Sequence, residues 1–398
     1  MSATISLEQK ALSKKYILYQ LFTSSWFVGA VWLYFYRIFL TDAQIGILDA
    51  MAFAIALLVE IPSGALADKI GRARLVRIGQ FCIAFGIVFQ TIGNFLPIFI
   101  GQTIFMIGVS FMSGADEALF FDKLKFSKDS VEWKKLVTRG SQFALGGVVF
   151  ATVVGGLLHL VDPRLPWFFT GLSFLISILV IRGIQDEKIV KKTLSVKEEL
   201  SDYFSSIKAG FQEFKLPRLA LYVPIIITLQ ALFYTSGYGL LRIVLLDRFT
   251  FDPFWGAVAL ATSSLLTIGV LHFLHKCAEE MTEKKVVILV SLLSASALFM
   301  SVANIGLWGF TVIFALYAGQ RVLSPTMSEA INNQASDEHR ATVLSMASFL
   351  KAIPYVALAP IIGYLNTTES LEVFLVVWAV LICGALTFYL KNKKTLSD

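Results

Sequence analysis

Gly64-Ala65-Leu66-Ala67-Asp68-Lys69-Ile70-Gly71-Arg72-Ala73-Arg74 is a short charged turn set between two long apolar stretches, Gln44 to Ser63 before it and Leu75 to Gly93 after it. Each flank supplies the roughly 20 apolar residues that a helix needs to cross a hydrocarbon core about 30 Å thick. The turn between them suits a membrane surface. Gly64 and Gly71 let helices approach closely and turn tightly, Asp68 puts a carboxylate near helix ends, and Lys69, Arg72, Arg74 and Arg77 sit where anionic headgroups pair with them. A charged latch of this kind holds one conformation until protonation or displacement releases it.

The same alternation of apolar stretch and short polar break extends over the chain. Besides the two flanks, candidate spans run from Tyr16 to Leu40, Leu96 to Phe121, Thr138 to Leu160, Trp167 to Ile184, Leu219 to Leu246, Phe254 to Leu274, Val286 to Ala303, Ile305 to Glu329, Ala341 to Leu365 and Leu371 to Leu390. That makes twelve. With 56% hydrophobic and 16% charged residues and a mean hydropathy of +0.72, water is not the chain's main solvent. The fold class expected is an all-α polytopic membrane protein, twelve transmembrane helices in two six-helix bundles. Tyr16 to Leu40 exceeds a signal-peptide core and carries no small-residue cleavage site, so it is expected to be retained.

Lys and Arg concentrate in alternate breaks: Lys10, Lys14 and Lys15; Lys69 to Arg77; Lys123 to Arg139; Arg182 to Arg218; Lys284 and Lys285; and Lys391 to Lys394. The intervening breaks hold only Arg37, Arg164 and Arg248. Basic loops stay cytoplasmic, which predicts both termini inside a cell (inner) membrane crossed many times. The net charge of +6 is then a topology signal, and no nucleic-acid partner is expected. The longest polar interval divides the chain into an N-terminal bundle, 1–184, a cytoplasmic linker, 185–218, and a C-terminal bundle, 219–398. Within the linker, Val196, Leu200, Tyr203, Phe204, Ile207, Phe211 and Phe214 form a helical stripe, and Ser195 with Glu198 forms a capping box, so an amphipathic helix on the membrane surface is expected. Cys82, Cys277 and Cys383 imply no disulfide framework, and His272 and His275 near Glu279 have too few further ligands for a metal site. The two halves share short matches, Ser113 to Ala118 with Met327 to Ala330, which pair Glu117 with Glu329.

The Gly64 to Arg74 run resembles the loop signature of the major facilitator superfamily, Gly-x-Leu-Ala-Asp-Arg-x-Gly-Arg-Lys, with Ala73 at the second basic position and Arg74 directly after it. Twelve spans, a central cytoplasmic linker and this loop make the resemblance cover the whole chain. It implies a conformational latch of Glu60, Gly64, Asp68, Gly71, Arg72, Arg74 and Arg340, in which Asp68 meets the start of the eleventh span near Ala341 and Arg340. Glu60 to Gly64 and Ser113 to Leu124 further resemble bacterial drug or metabolite exporters. Efflux antiporters of the superfamily often carry Gly-Pro in span five, where this chain has Gly146, Gly147, Gly155 and Gly156 and no proline.

Charges inside spans are expensive and are kept for a task. Arg321 and Lys351 are the cations well inside spans, Arg242 is expected to snorkel near a helix end, and Asp49, Glu60, Asp116, Glu117 and Glu329 are the anions. Tyr317, Arg321, Ser324 and Ser328 recur on one helical face. The resemblance places spans one, four, seven and ten around a cavity, so candidate substrate or proton groups are Asp49, Asp116, Glu117, Gln230, Tyr234, Tyr238, Tyr317, Arg321 and Lys351. A structural salt bridge remains open for Glu117 and Arg321. P-loop and His-Glu-x-x-His motifs are absent, so neither an enzyme nor an ATP-driven pump is expected, and no cofactor. The resulting expectation is a monomeric secondary transporter whose partners are a small molecule, protons and the bilayer, exporting a hydrophobic or amphipathic solute by antiport. The alternatives are an uptake carrier for an organic anion or metabolite, with Arg321 and Lys351 as counter-charges, and a lipid flippase.

Overall fold

The computed structural model describes residues 7–113, 115–124, 131–184, 205, 208, 210–237, 239–276, 281–335 and 340–397. Among these every regular element is helical, and the helices fall into twelve passages. Span one is Leu7–Thr23 with Trp32–Tyr36, span two Asp42–Ile70, span three Arg72–Phe89 extended by Gln90–Ile92, span four Phe95–Met112 with Ala115–Leu124, span five Val131–Val161 and span six Leu165–Val180. Span seven is assembled from short pieces between Pro217 and Arg248, followed by Pro253–Lys276, Glu283–Met300, Gly309–Gln334, Arg340–Thr367 and Leu371–Ser397 as spans eight to twelve. Eight of these are long and apolar enough to cross a membrane. Spans one, six, nine and ten fall short of that measure for local reasons: a break after Thr23, sixteen residues in span six, the Glu283-Lys284-Lys285 start of span nine, and the polar C-terminal half of span ten.

The described chain groups into two compact units, Met1–Phe39 with Met51–Leu200, and Leu40–Ala50 with Ser201–Asp398. The beginning of span two thus belongs with the second unit. In each unit the end at which its first span begins is termed the near end here, and the opposite end the far end.

In the first unit, spans three and four pack through reciprocal glycines. A Cβ on Gly86 would lie 2.5 Å from the Gly101 carbonyl oxygen and one on Gly108 would lie 2.5 Å from that of Gly79, so only glycine permits this approach. The near end is filled by Tyr16, Tyr19, Phe120, Leu119, Trp133 and Val76, with Tyr16 edge-on to Phe120 at 5.1 Å.

Span one departs from the continuous helix expected over Tyr16 to Leu40. Helix stops at Thr23 because polar side chains compete for the backbone: Thr23 Oγ1 donates to the Tyr19 carbonyl at 2.8 Å, Ser25 Oγ to Leu21 at 2.7 Å and the Trp26 indole to Thr23 at 2.6 Å. Irregular backbone at membrane depth survives only when sheltered by protein, and Phe27, Val28, Ala30 and Val31 are all buried. Gly155 of span five makes that shelter, since a Cβ there would stand 1.9 Å from the Phe27 carbonyl oxygen.

Large apolar side chains stand exposed on the helices, among them Phe150, Leu160 and Val161 on span five and Val373, Val377 and Val380 on span twelve. A surface of this kind calls for lipid. Only 28% of span five's apolar window is buried, against 61% for span seven, which makes span seven interior to its unit and span five peripheral. The amphipathic linker helix expected from Ser195 lies largely outside the described residues. At its end, Gly210 to Glu213 are helical and Phe214 is buried.

Candidate substrate and proton site

Span seven is the least regular helix of the second unit. Ile226–Gln230 form a π-turn, a geometry that frees a backbone carbonyl and frequently accompanies function. Gln230 closes it. The helix ends at Gly237 and a new one starts at Leu240, with Tyr238 outside the described residues. The gap is held from two sides: a Cβ on Gly237 would meet Gln320 Oε1 at 2.6 Å, and one on Gly239 would meet the Tyr355 ring.

Arg242, expected to snorkel, turns back instead, and its Nη1 donates to the Gly237 carbonyl at 2.8 Å, capping the interrupted helix. Together with Ser236 and Tyr317 it lines a small cavity whose remaining walls are Leu245, Leu260, Ile313 and Leu316. On span ten, Arg321 Nη2 donates to the Tyr317 hydroxyl at 3.4 Å, and its guanidinium carbon stands 5.5 Å from the Tyr317 ring centroid. Arg321, Ser324 and Ser328 are exposed, so the stripe read from the sequence is a polar surface on the C-terminal half of the helix.

Asp49, one of the candidate carboxylates, is 7% exposed and takes a hydrogen bond from the buried Tyr355 hydroxyl. Tyr355, a residue the sequence did not mark, also packs its ring 5.6 Å from that of Tyr234. The partnership depends on close crossing of Leu40–Ala50 with span eleven. A Cβ on Gly46 would lie 2.3 Å from the Ala359 carbonyl oxygen and one on Gly363 2.2 Å from that of Asp42. Asn366 Nδ2 donates to Asp42, and Thr367 Oγ1 accepts from the Ala43 N–H at 2.9 Å. Lys351, four residues before Tyr355, is half-buried.

In the first unit, Asp116 accepts a hydrogen bond from Tyr19 at 3.2 Å, whereas the side chain of Glu117 lies outside the described residues. The far end carries a neutral network: Tyr36 and the Trp167 indole both donate to Gln90 Oε1, at 2.7 and 3.1 Å, and Gln90 Nε2 donates to Gln102 at 3.3 Å. Of the latch, Gly71 takes a φ of 96° that favours glycine, Arg74 is exposed, and Glu60 accepts from Ser113 Oγ at 3.3 Å. Arg72 pairs with Asp122 of the second span-four helix, a partner the sequence did not single out. Gly64 lies within the helix Asp42–Ile70, and the side chains of Asp68 and Arg340 lie outside the described residues.

A family model described as Major Facilitator Superfamily matches residues 17–359. Among curated proteins, the quinolone resistance protein NorA of Staphylococcus aureus strain N315 is 23% identical over 328 residues, 78% of this chain and 79% of that one. Among solved structures, the nucleoside transporter NupG superposes with a TM-score of 0.75 at 12% identity over 98% of this chain and all of that one. A peptide transporter POT in complex with sulfate gives 0.72 at 13% over 96% and 95%, and a bacterial homolog of the human lysosomal transporter Spinster gives 0.66 at 15% over 99% and 98%. At these identities the structures share the fold. The chain is a multi-pass membrane carrier, not an enzyme, and it belongs to the Major Facilitator Superfamily.

Proposed function

We propose that this protein is a proton-linked exporter of an amphipathic small molecule, working as a single chain by alternating access in the cell (inner) membrane with both termini in the cytoplasm. Asp49 is its proton-carrying carboxylate. The observation that carries this reading is the burial of Asp49 against the Tyr355 hydroxyl. A carboxylate removed from water is costly when charged and inexpensive when protonated, so burial of Asp49 makes its charge state sensitive to the partners it keeps. Tyr355 donates to the charged form, and Tyr234 is the other titratable ring beside it. Protonation turns the charge-assisted Tyr355 bond into a weaker neutral one at this crossing, which links a proton to a helix contact. The likeness to NorA, a protein named for quinolone resistance, supports export over uptake.

The test is reconstitution in liposomes with an imposed pH gradient and three aromatic dyes, one cationic, one neutral and one anionic. At least one dye should move with the gradient and stop when a protonophore collapses it. Asp49→Asn should abolish gradient-driven movement by about two orders of magnitude while dye exchange without a gradient persists. Gradient-driven transport that survives in Asp49→Asn would remove the residue from the role.

A further inference from the structure

We propose that the near end of span five holds an anionic phospholipid, with Lys134, Lys135 and Arg139 on its phosphodiester and one acyl chain laid along Phe143, Gly146 and Phe150. The site is separate from Asp49 and depends neither on the proton reading nor on the direction of transport. Its first support is a concentration of positive charge that the helix itself does not favour. Span five carries Glu132 in its first turn, and Lys134 and Lys135 follow within its first five residues. The positive end of the helix dipole disfavours cations there. Lys135 and Arg139 then stand four residues apart, a like-charged pair on one helical face that adds repulsion. No carboxylate offsets these costs: all three cations are exposed, and among the described residues none forms an ion pair or a side-chain hydrogen bond, Glu132 being half-buried and equally unpaired. An anion set between the three reverses the sign of both effects. Lys134, Lys135, Thr138, Arg139 and Gln142 line an open groove of about 380 Å³. The Thr138 hydroxyl is turned back onto the Lys134 carbonyl at 2.9 Å and adds no charge, while Gln142 contributes an exposed amide.

The second support is where the cations lead. Lys135, Arg139, Gln142, Gly146 and Phe150 succeed one another at intervals of three and four residues, so one stripe runs from the charged groove into the span. Phe143 borders it at 41% exposure and Phe150 ends it at 61%. Between the two rings a Cβ on Gly146 would meet nothing within 4 Å, which leaves a notch floored by backbone. Span one lies against the opposite face, where Gly140 and Gly147 approach Tyr16 and Leu21, so the stripe looks out of the unit. From Arg139 to Phe150 the helix rises about 16 Å, the depth of one leaflet in a hydrocarbon core about 30 Å thick. Head and tail together select the occupant. A soluble anion would meet the cations and leave the notch bare, and a zwitterionic lipid would bring its own ammonium to three like charges. A lipid whose phosphodiester is its only charge, as in phosphatidylglycerol, satisfies both parts.

The test is lipid retention by the full chain purified in detergent, read by native mass spectrometry after mixing with dioleoylphosphatidylglycerol and dioleoylphosphatidylcholine, which share their chains and differ in the head. The unaltered protein should hold phosphatidylglycerol at least about tenfold more tightly, since each basic contact at a membrane surface is worth about a factor of five. Replacing the three cations together, Lys134→Gln, Lys135→Gln and Arg139→Gln, should bring the two lipids within about twofold of each other. Lys10→Gln with Lys14→Gln removes two exposed cations from span one at the same end and should leave the preference intact. Glycerol 1-phosphate, the head without chains, should not displace the lipid at equal concentration. The proposal is overturned if the unaltered chain shows no preference, if the triple variant keeps it, if the span-one pair abolishes it, or if glycerol 1-phosphate competes as well as the lipid. The comparison on the unaltered chain needs no variant to fold. Because no gradient is applied, loss of this site leaves the reading of Asp49 untouched, and loss of proton coupling leaves this site standing.

Discussion

The two units fasten the far ends of their first, third and sixth helices with opposite chemistry. In the first unit, Tyr36, Gln90 and Trp167, from spans one, three and six, share one amide without a formal charge. In the second, spans seven, nine and twelve meet at Arg248, which donates to the Ser301 and Val302 carbonyls and to Glu372. The near end of that unit repeats the device, with Glu283 accepting from Tyr389 at 2.6 Å and from Lys393 at 2.9 Å. A three-helix staple therefore recurs whatever its charge, which identifies it as architecture. The features without a counterpart are different. On the register that pairs Glu117 with Glu329, the span-four counterparts of Tyr317 and Arg321 are the apolar Phe105, packed edge-on against Trp26, and Val109. What the halves do not share is where transport chemistry belongs.

The strongest test of that division removes one tyrosine hydroxyl from each unit. Tyr355→Phe takes the donor from Asp49 and should cut pH-driven transport per folded molecule about tenfold or more, measured in liposomes. Tyr36→Phe takes a donor from Gln90 and should leave the pH dependence of transport unaltered. If the two variants lose coupling equally, the contrast between site and staple collapses.

Next in size is the neutral staple itself. Gln90 is 2% exposed, and Gln90→Ala strands the Trp167 indole and loosens Tyr36, a loss of about 3 kcal/mol that thermal unfolding in detergent would register. The charged staple should matter less despite its formal charges. Glu372 is 39% exposed by side chain, so screening reduces the pair, and Glu372→Ala should cost no more than about 1 kcal/mol, shrinking further in high salt. A larger loss in Glu372→Ala than in Gln90→Ala would mean that the second unit depends on ions for its integrity and not only at its site.

Much of this architecture is legible from residue order alone. The apolar lengths and the Gly64 to Arg74 run suffice for a membrane carrier of this superfamily, and the shared helical face of Tyr317, Arg321, Ser324 and Ser328 follows from periodicity, which is local. Breaks are not local. Hydropathy averaged over Tyr16 to Leu40 or Leu219 to Leu246 cannot register that Ser25 or Arg242 diverts a carbonyl, so the interruptions at Thr23 and Gly237 were invisible and Arg242 read as a helix-end cation. Tyr355 carries little signal in the sequence, because a tyrosine after Pro354 has the character of a packing residue, although its place four residues beyond Lys351 puts it on the same face. Gln90 and Tyr36, being neutral, gave no signal above interhelical glue. Asp122 was missed for another reason: a carboxylate at a basic helix end looks solvated, and only its pairing with Arg72 gives it a role.

The smallest effect concerns two adjacent glycines that the sequence presents as equals. Gly146 and Gly147 both lie on span five, but a Cβ on Gly146 meets nothing within 4 Å, whereas one on Gly147 lies 2.7 Å from the Leu21 carbonyl oxygen and 3.0 Å from Ser25 Oγ. Helical glycine costs about 1 kcal/mol relative to alanine when no close approach requires it. Gly146→Ala should therefore leave transport unchanged and raise the unfolding temperature slightly. Gly147→Ala should lower it, because the Leu21 carbonyl is backbone and moves only with span one, whose irregular segment begins immediately beyond. The sign difference between neighbours isolates the packing of span five on span one from its helix propensity. If both variants stabilise, span one has room to retreat and its break is not held by span five. If Gly146→Ala also destabilises, that face of span five is covered by something the helix bundle does not itself supply.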